Sequence, residues 1–146
     1  MIRFVVDASV VLKWVVQETG SAEAEALRWA DQLLAPDLIL AECGNAIWKK
    51  VRRGEFTRDE AGLAIRLLEQ SDIELRPMRN LIVTAVDLSI ALDHPAYDCV
   101  YLALAEAEQR PFVTADEALV RKLASSGRFS PRAVTLGEAA AMVKRP

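Results

Sequence analysis

Four acidic residues stand at positions where a carboxylate could do chemistry. Asp7 ends the first apolar run of the chain, and Asp116 follows another short apolar run near residue 114. Glu42 lies in a helical segment among apolar neighbours, and Asp98 stands near the start of a strongly apolar helical segment. Four oxygen donors without His or Cys partners suit a hard cation, so this set predicts a site for Mg2+ or Mn2+ and argues against zinc.

A magnesium site of this kind indicates phosphoryl chemistry. Mg2+ usually keeps several water ligands and completes its coordination with a substrate phosphate. One metal ion can activate a water molecule, and a second can stabilise the leaving oxygen. Each acid also has a structural alternative. Asp7 and Asp116 could cap the helices that follow them, Glu42 could lie on a solvated helix face, and Asp98 could complement its helix dipole.

The elements that must position these acids alternate along the chain. Predicted strands cover residues 2–7, 32–35, 73–76, 111–114 and 133–134. Predicted helices cover residues 8–16, 21–31, 37–53, 57–70, 81–92, 97–109 and 116–125, with a short one after residue 135. Strands separated by helices predict an α/β fold with a mostly parallel sheet between helical layers.

Local signals set the element boundaries. Pro36 is expected to stop the second strand, and Asp37 to cap the long helix after it. Thr57 and Glu60 have the spacing of a capping box. Ligand sites in parallel sheets lie beyond the carboxyl ends of the strands, which places the acids after the first and fourth strands at one edge.

Several polar residues accompany the acids. Ser9 and Thr114 stand two positions from Asp7 and Asp116, where each could orient a metal-bound water or simply cap a helix. Asn45 follows Glu42 by three residues and shares its helix face. His94 is expected to be a helix-terminal residue. The tryptophans at 14, 29 and 48 are expected in the core or an interface. Basic residues at 13, 49, 50, 52 and 53 could form a local patch that binds nucleic-acid phosphates, or simply a solvated helix face.

Composition limits the class of protein. The 146 residues suit one domain, taken as residues 1–146, and the net charge of -3 excludes a broadly basic nucleic-acid-binding surface. Cys43 and Cys99 are expected to be buried thiols of an intracellular protein. No signal peptide is recognisable, and no apolar run approaches the ~18 residues of a membrane span. We therefore expect a soluble, cytoplasmic protein without membrane contact.

Four short motifs carry a family resemblance. They are VDAS at 6–9, AE at 41–42 with NA at 45–46, HPAYD at 94–98 and TAD at 114–116. Their order and separations resemble those of the PIN-domain ribonucleases, and within them the VapC-type toxins of toxin–antitoxin pairs. The resemblance extends over nearly the whole chain.

The resemblance implies a three-layer α/β/α sandwich around a sheet of about five strands. It implies metal-dependent endonucleolytic cleavage of RNA by water, leaving a 5′-phosphate. It also implies a homodimer and a small antitoxin partner that blocks the pocket. The family's acidic positions correspond to Asp7, Glu42, Asp98 and Asp116, and its supporting polar positions to Ser9, Asn45 and Thr114.

Three other interpretations share part of this residue pattern. A phosphoacceptor receiver domain needs adjacent acids after the first strand and a Lys after the last one, but Asp7 is followed by Ala8 and no such Lys follows Val134. A phosphatase with an Asp nucleophile needs a second acid where Ser9 stands. A non-catalytic module that keeps the PIN fold stays open at this stage.

Overall fold

The computed structural model describes residues 1–143, and within them five strands form one parallel sheet. The sheet order is β3-β2-β1-β4-β5, and every neighbouring pair is parallel. The strands are β1 (Arg3–Val6), β2 (Gln32–Pro36), β3 (Ile73–Arg76), β4 (Phe112–Thr114) and β5 (Ala133–Thr135). A five-stranded parallel sheet flanked by helices confirms the predicted α/β fold class.

Eight α-helices lie within residues 1–143. They are α1 (Ala8–Val11), α2 (Ser21–Ala26), α3 (Leu38–Arg52), α4 (Arg58–Glu69), α5 (Ile82–Leu92), α6 (Ala96–Glu108), α7 (Glu117–Ser126) and α8 (Leu136–Met142). Short 3-10 turns follow α1 and α2 and precede α5. None of these helices is both long and apolar enough to span a bilayer.

The core lies around the two central strands and α6. Phe4–Val6 of β1 and Phe112–Thr114 of β4 are fully buried, as expected for strands covered on both faces. Residues Cys99–Ala105 of α6 are all buried, and α6 packs against β1, β2 and α5. A helix that is apolar on all sides is fixed by its surroundings, so its exposed first turn is held in place relative to the sheet.

Several predicted boundaries are confirmed and others are wrong. Thr57 and Glu60 form both bonds of the capping box that begins α4. The helix predicted for residues 8–16 ends as an α-helix at Val11, because its β-branched residues weaken helix formation. Pro36 lies inside β2, where it pairs only with Arg76 of β3 and its missing N–H breaks no ladder with β1.

Asp37 stands at the N-cap position of α3 but does not cap it with its side chain. Its Oδ1 instead accepts a hydrogen bond from the backbone N–H of Met78 at 3.0 Å. The carboxylate therefore joins the start of α3 to the segment after β3, a connection between residues far apart in sequence.

Candidate active site

Two of the acids lie where neighbouring parallel strands end. Asp7 follows β1 as the N-cap residue of α1, and Asp116 is the N-cap residue of α7, two positions after β4. Because Val6 pairs with Val113, the carboxyl ends of both strands meet at one edge of the sheet. The structure thus places both acids where the sequence pattern predicts.

The other two acids reach the same edge from helices. Glu42 lies in the second turn of α3, the helix that follows β2, and Asp98 lies in the first turn of α6. A cavity of about 230 Å³ opens between these elements. Its lining residues are Asp7, Ala8, Ser9, Glu42, Asp98, Tyr101, Asp116 and Leu119. The structure brings the four acids to one cavity, while their catalytic and metal-binding roles stay predictions.

Ser9 joins the two strand ends. Its hydroxyl donates to Asp7 Oδ1 at 2.5 Å and accepts from the backbone N–H of Ala115 at 3.1 Å. Thr114 is fully buried, and its Oγ1 accepts from the N–H of Asp116 at 3.1 Å. Both hydroxyls therefore fix the backbone that carries the acids, while their predicted role in orienting a metal-bound water stays a prediction.

Asp116 combines the two roles that the sequence left open. Its Oδ1 accepts from the backbone N–H of Leu119 at 3.1 Å, which caps α7, and the residue also lines the cavity. Asn45 is different, because it is exposed one turn after Glu42 and is not among the described residues that line the cavity. Its supporting role stays a prediction without a contact in this arrangement.

Tyr101 is a site residue that the sequence analysis did not single out. Its buried hydroxyl donates to Glu42 Oε1 at 2.5 Å. Burial and the Glu42 carboxylate both raise the pKa of Tyr101, so the phenol stays protonated and remains a donor. The available signal was its position three residues after Asp98, which puts both side chains on one face of α6.

His94 also contacts the site, although it was expected to be only a helix-terminal residue. Its Nε2 lies 2.7 Å from Asp98 Oδ2, and its Nδ1 lies 3.2 Å from Lys122 Nζ. The spacing of four residues between His94 and Asp98 could have indicated this pair. The contact with Lys122 of α7 has no comparable signal in the sequence.

The cavity is electrostatically unfavourable for its own carboxylates. Burial raises the pKa of Asp7 to about 6, although the Ser9 hydroxyl lowers it, and the charge of Asp98 raises it further. Burial also raises the pKa of Glu42, and Asp98 again adds to the effect. Among the described residues that line the cavity there is no Lys or Arg. The site therefore has an excess of negative charge that a cation would relieve.

The arrangement of the four carboxylates determines how they could hold a metal ion. Within residues 1–143, no group of three or more His, Cys, Asp or Glu side chains is arranged so that it could hold a metal ion as it stands. Each acid instead has a hydrogen-bond partner of its own: Ser9 for Asp7, Tyr101 for Glu42, His94 for Asp98 and the Leu119 N–H for Asp116. Four carboxylates around one cavity still fit a hard divalent cation, and a bound ion would require them to converge.

Comparisons with known proteins agree with this fold. The PIN domain family model matches residues 4–124. Ribonuclease VapC3 of Pyrobaculum aerophilum is 34% identical over 123 residues, which are 82% of this chain and 94% of that protein. The crystal structure of PAE2754 from Pyrobaculum aerophilum matches with a TM-score of 0.71 at 20% identity, over 97% of this chain and 96% of that one.

A second solved structure has the same fold. VapBC2 from Rickettsia felis, bound to a DNA fragment from its promoter, matches with a TM-score of 0.63 at 12% identity, over 92% of this chain and 98% of that one. At these identities the two structures show the fold alone. The family model covers most of the sequence and the 34% identity covers most of both proteins, and together they show that the chain belongs to the PIN domain family.

Proposed function

We propose that the protein is a metal-dependent endoribonuclease and the toxin of a type II toxin–antitoxin pair. We further propose that the whole chain, residues 1–146, acts as one nuclease domain. The observation that carries the proposal is the cavity that four carboxylates share at the carboxyl edge of the sheet. The relative at 34% identity, which is named a ribonuclease, supports RNA as the substrate.

The residues of the chain have distinct tasks in this proposal. Asp7, Glu42, Asp98 and Asp116 would hold Mg2+ or Mn2+. Such an ion supplies Lewis acidity and lowers the pKa of a bound water. The Ser9 hydroxyl donates to Asp7 and the Tyr101 hydroxyl donates to Glu42, so these two carboxylates each have one oxygen held by the protein. The scissile phosphate would then occupy the open side of the cavity, beside the exposed Asp116.

RNA cleavage by purified variants tests this proposal. We expect wild-type protein to cut RNA with millimolar Mg2+ or Mn2+, to leave 5′-phosphate ends and to lose activity in chelator. Zinc should not sustain cleavage. Each single amide variant at an acid should lose at least ~100-fold in rate, because each perturbs the ion and its water. The variants are Asp7→Asn, Glu42→Gln, Asp98→Asn and Asp116→Asn.

Glu117→Gln is the matched control, because Glu117 is exposed, follows Asp116 directly and does not line the cavity as described. It should cut RNA at the wild-type rate. Full activity in three of the four acid variants would contradict a shared catalytic site. A wild-type protein that binds Mn2+ in this cavity without cutting any RNA would instead support the non-catalytic module.

The charge of the cavity also supports a proteinaceous inhibitor. We propose that a small antitoxin inserts a basic side chain among the four acids and replaces the cation there. Arg is the better candidate because its planar guanidinium engages carboxylates bidentately and stays charged. The match to the solved structure named VapBC2 supports an antitoxin partner for this chain.

An apolar groove near the site suits the rest of such an antitoxin. It lies between α3 and α4, has a volume of about 220 Å³, and is lined by residues that include Ile39, Leu40, Ile65 and Leu68. Cys43 lines this groove while its neighbour Glu42 lines the acidic cavity, so one chain could follow α3 from groove to cavity. Trp48 of α3 is 53% exposed, whereas Trp14 is half-buried and its indole N–H donates to Ala24 O.

Competition between Mg2+ and the antitoxin tail tests this mode of inhibition. Raising Mg2+ should weaken binding of a peptide from the tail of the cognate antitoxin, because both occupy the acidic cavity. Replacing the Arg of the peptide with Ala should reduce inhibition more than binding. Binding that ignores Mg2+, together with full inhibition by the Ala peptide, would show that the partner blocks RNA by another route.

We also propose that the protein acts as a homodimer in the cytoplasm. Cys43 and Cys99 are free and buried, and burial raises the pKa of their thiols to about 12 and about 11. Such thiols are inert structural groups and fit a reducing compartment where RNA is abundant.

A further inference from the structure

The turn before α6 places a histidine against Asp98, one of the acids that line the cavity. His94 Nε2 lies 2.7 Å from Oδ2 of Asp98, four residues later in the chain. The His94 side chain is 15% exposed and that of Asp98 is 40% exposed, so the imidazole is the more buried member of the pair. His94 is the sole histidine of the chain, so its imidazole signals can be identified without ambiguity.

The second ring nitrogen of His94 is also engaged. Lys122 Nζ, from α7, lies 3.2 Å from His94 Nδ1 and donates to the carbonyl of Asp93 at 2.9 Å. An ammonium group has donors and no acceptor, so an N–H on Nδ1 would face another donor. Nδ1 is therefore the acceptor, and the N–H on Nε2 donates to Asp98.

The backbone of His94 is held at the same time. Its N–H donates to Ser89 O at 3.1 Å, and its carbonyl accepts a hydrogen bond from the Ser89 hydroxyl. Asp93 adopts the left-handed conformation with φ of 50°, which ends α5 and turns the chain toward α6. Backbone and ring are thus both fixed, so the imidazole presents one N–H to the carboxylate in one direction.

We propose that His94 is a positioning residue for Asp98 and that Lys122 fixes the orientation of His94. With Oδ2 engaged by the imidazole, Oδ1 is the oxygen that Asp98 offers to an ion in the cavity. Ligating carboxylates in proteins are commonly held by such outer hydrogen bonds, whose loss costs about 10–100-fold in metal affinity or activity. The inference rests on the proposed function only for its effect on RNA cleavage.

Nitrogen NMR of the histidine tests the hydrogen-bond chain directly. In protein without metal or RNA at neutral pH, we expect a proton on Nε2 and none on Nδ1. In Lys122→Met the ring loses its second anchor, so its nitrogen signals should broaden through motion. A wild-type ring with its proton on Nδ1, or unchanged signals in Lys122→Met, would overturn the proposal.

Binding of Mn2+ alone tests the positioning role without catalysis. His94→Leu removes the donor and should weaken Mn2+ binding by about 10-fold or more. His94→Gln offers a side-chain amide donor at a similar reach and should recover most of that loss. Arg121→Met changes an exposed residue beside Lys122 but leaves the ring and its turn intact, so its Mn2+ affinity should stay within about twofold of wild type.

The Mn2+ affinities of these three variants distinguish a positioning role of His94 from a purely structural one. Wild-type Mn2+ affinity in His94→Leu would overturn the proposal, as would equal losses in all three variants. RNA cleavage should follow the same order, with the loss in kcat and little change in KM. If the wild-type protein cuts no RNA, the proposed function fails, while the NMR and Mn2+ measurements still test the role of His94.

Discussion

Asp7 is the carboxylate whose surroundings differ most from water. It is almost fully buried at the end of β1, and burial raises its pKa from 3.8 to about 6. A folded-state pKa above the unfolded value means that the folded protein binds the proton more tightly. Neutral Asp7 therefore stabilises the metal-free fold below about pH 4, and this contribution is lost as the pH rises through about 6.

The raised pKa of Asp7 leads to a first prediction about the stability of the fold. Asp7→Asn should be more stable than wild type at pH 7.5 in chelator, by about 2–3 kcal/mol, because the amide carries no charge to desolvate. The advantage should shrink to near zero at pH 4. Urea unfolding of both proteins at the two pH values measures it. The exposed Asp72→Asn should show no such pH dependence, and an equal advantage at both pH values would contradict the burial argument.

Tyr101 is the buried donor that holds Glu42. Tyr101→Phe keeps the ring but leaves Glu42 Oε1 without its protein donor, and a hydrogen bond to a charged group contributes about 1.5–3 kcal/mol. We expect a loss of stability of about 1–2 kcal/mol and RNA cleavage slower by about 10-fold. Denaturation and a cleavage assay measure the two effects. Tyr97→Phe, at an exposed position one residue before Asp98, should change neither.

At the scale of elements, much of the site follows from strand ends and helix periodicity. Asp7 and Asp116 could be placed from the sequence because parallel strands end at one edge of a sheet. Glu42 could be placed because its apolar neighbours in the helix argue against a free outer surface. The 3-10 turn after Val11 could not be placed, since weak local propensities leave its geometry to tertiary packing.

The contacts that hold the acids were harder to predict. Tyr101 lies among apolar residues of α6, and a Tyr in such a segment resembles an ordinary core residue. Lys122 reaches His94 across 28 residues of sequence, and no periodic pattern links α7 to the α5–α6 turn. Side-chain pairs of this kind depend on the packed arrangement of helices, which sequence spacing alone does not determine.

A change to the capping box of α4 should affect the stability of the fold but not RNA cleavage. Thr57→Ala removes the side-chain acceptor for the N–H of Glu60 and should cost about 1 kcal/mol of stability. α4 contributes no described residue to the acidic cavity, so the rate of RNA cleavage should stay within about twofold. Urea unfolding and the cleavage assay measure both. A large loss of cleavage with the fold intact would show that α4 acts on the site.

At the scale of the whole molecule, α5 carries the most exposed apolar face near the site. Ile82, Val86 and Ile90 repeat every four residues, and Val83 lies beside them. Val83 and Ile90 are 83% and 78% exposed. A contiguous exposed apolar patch of this kind commonly marks an interaction surface. A second copy of the chain seated on this stripe would account for it.

We therefore expect Ile90→Glu to weaken a homodimer by at least about 100-fold, because it places a charge in the apolar contact. Sedimentation over a range of concentrations measures the change. Leu63→Glu makes the same substitution on α4, at a position 54% exposed, and should leave the dimer intact. A monomeric wild-type protein, or an undisturbed dimer in Ile90→Glu, would place the interface elsewhere or remove it.

The proposed site predicts that the carboxylates of Asp7, Glu42, Asp98 and Asp116 hold a divalent cation in their shared cavity. Crystals soaked in Mn2+ and measured by anomalous diffraction test it most directly. We predict the strongest anomalous peak inside the cavity, with oxygens of at least two of these acids about 2.1–2.2 Å away, close to the distances hard divalent cations prefer. The same soak of Asp7→Asn crystals should give a weaker peak there. A strongest peak outside the cavity, or one that contacts none of the four acids, would contradict the claim.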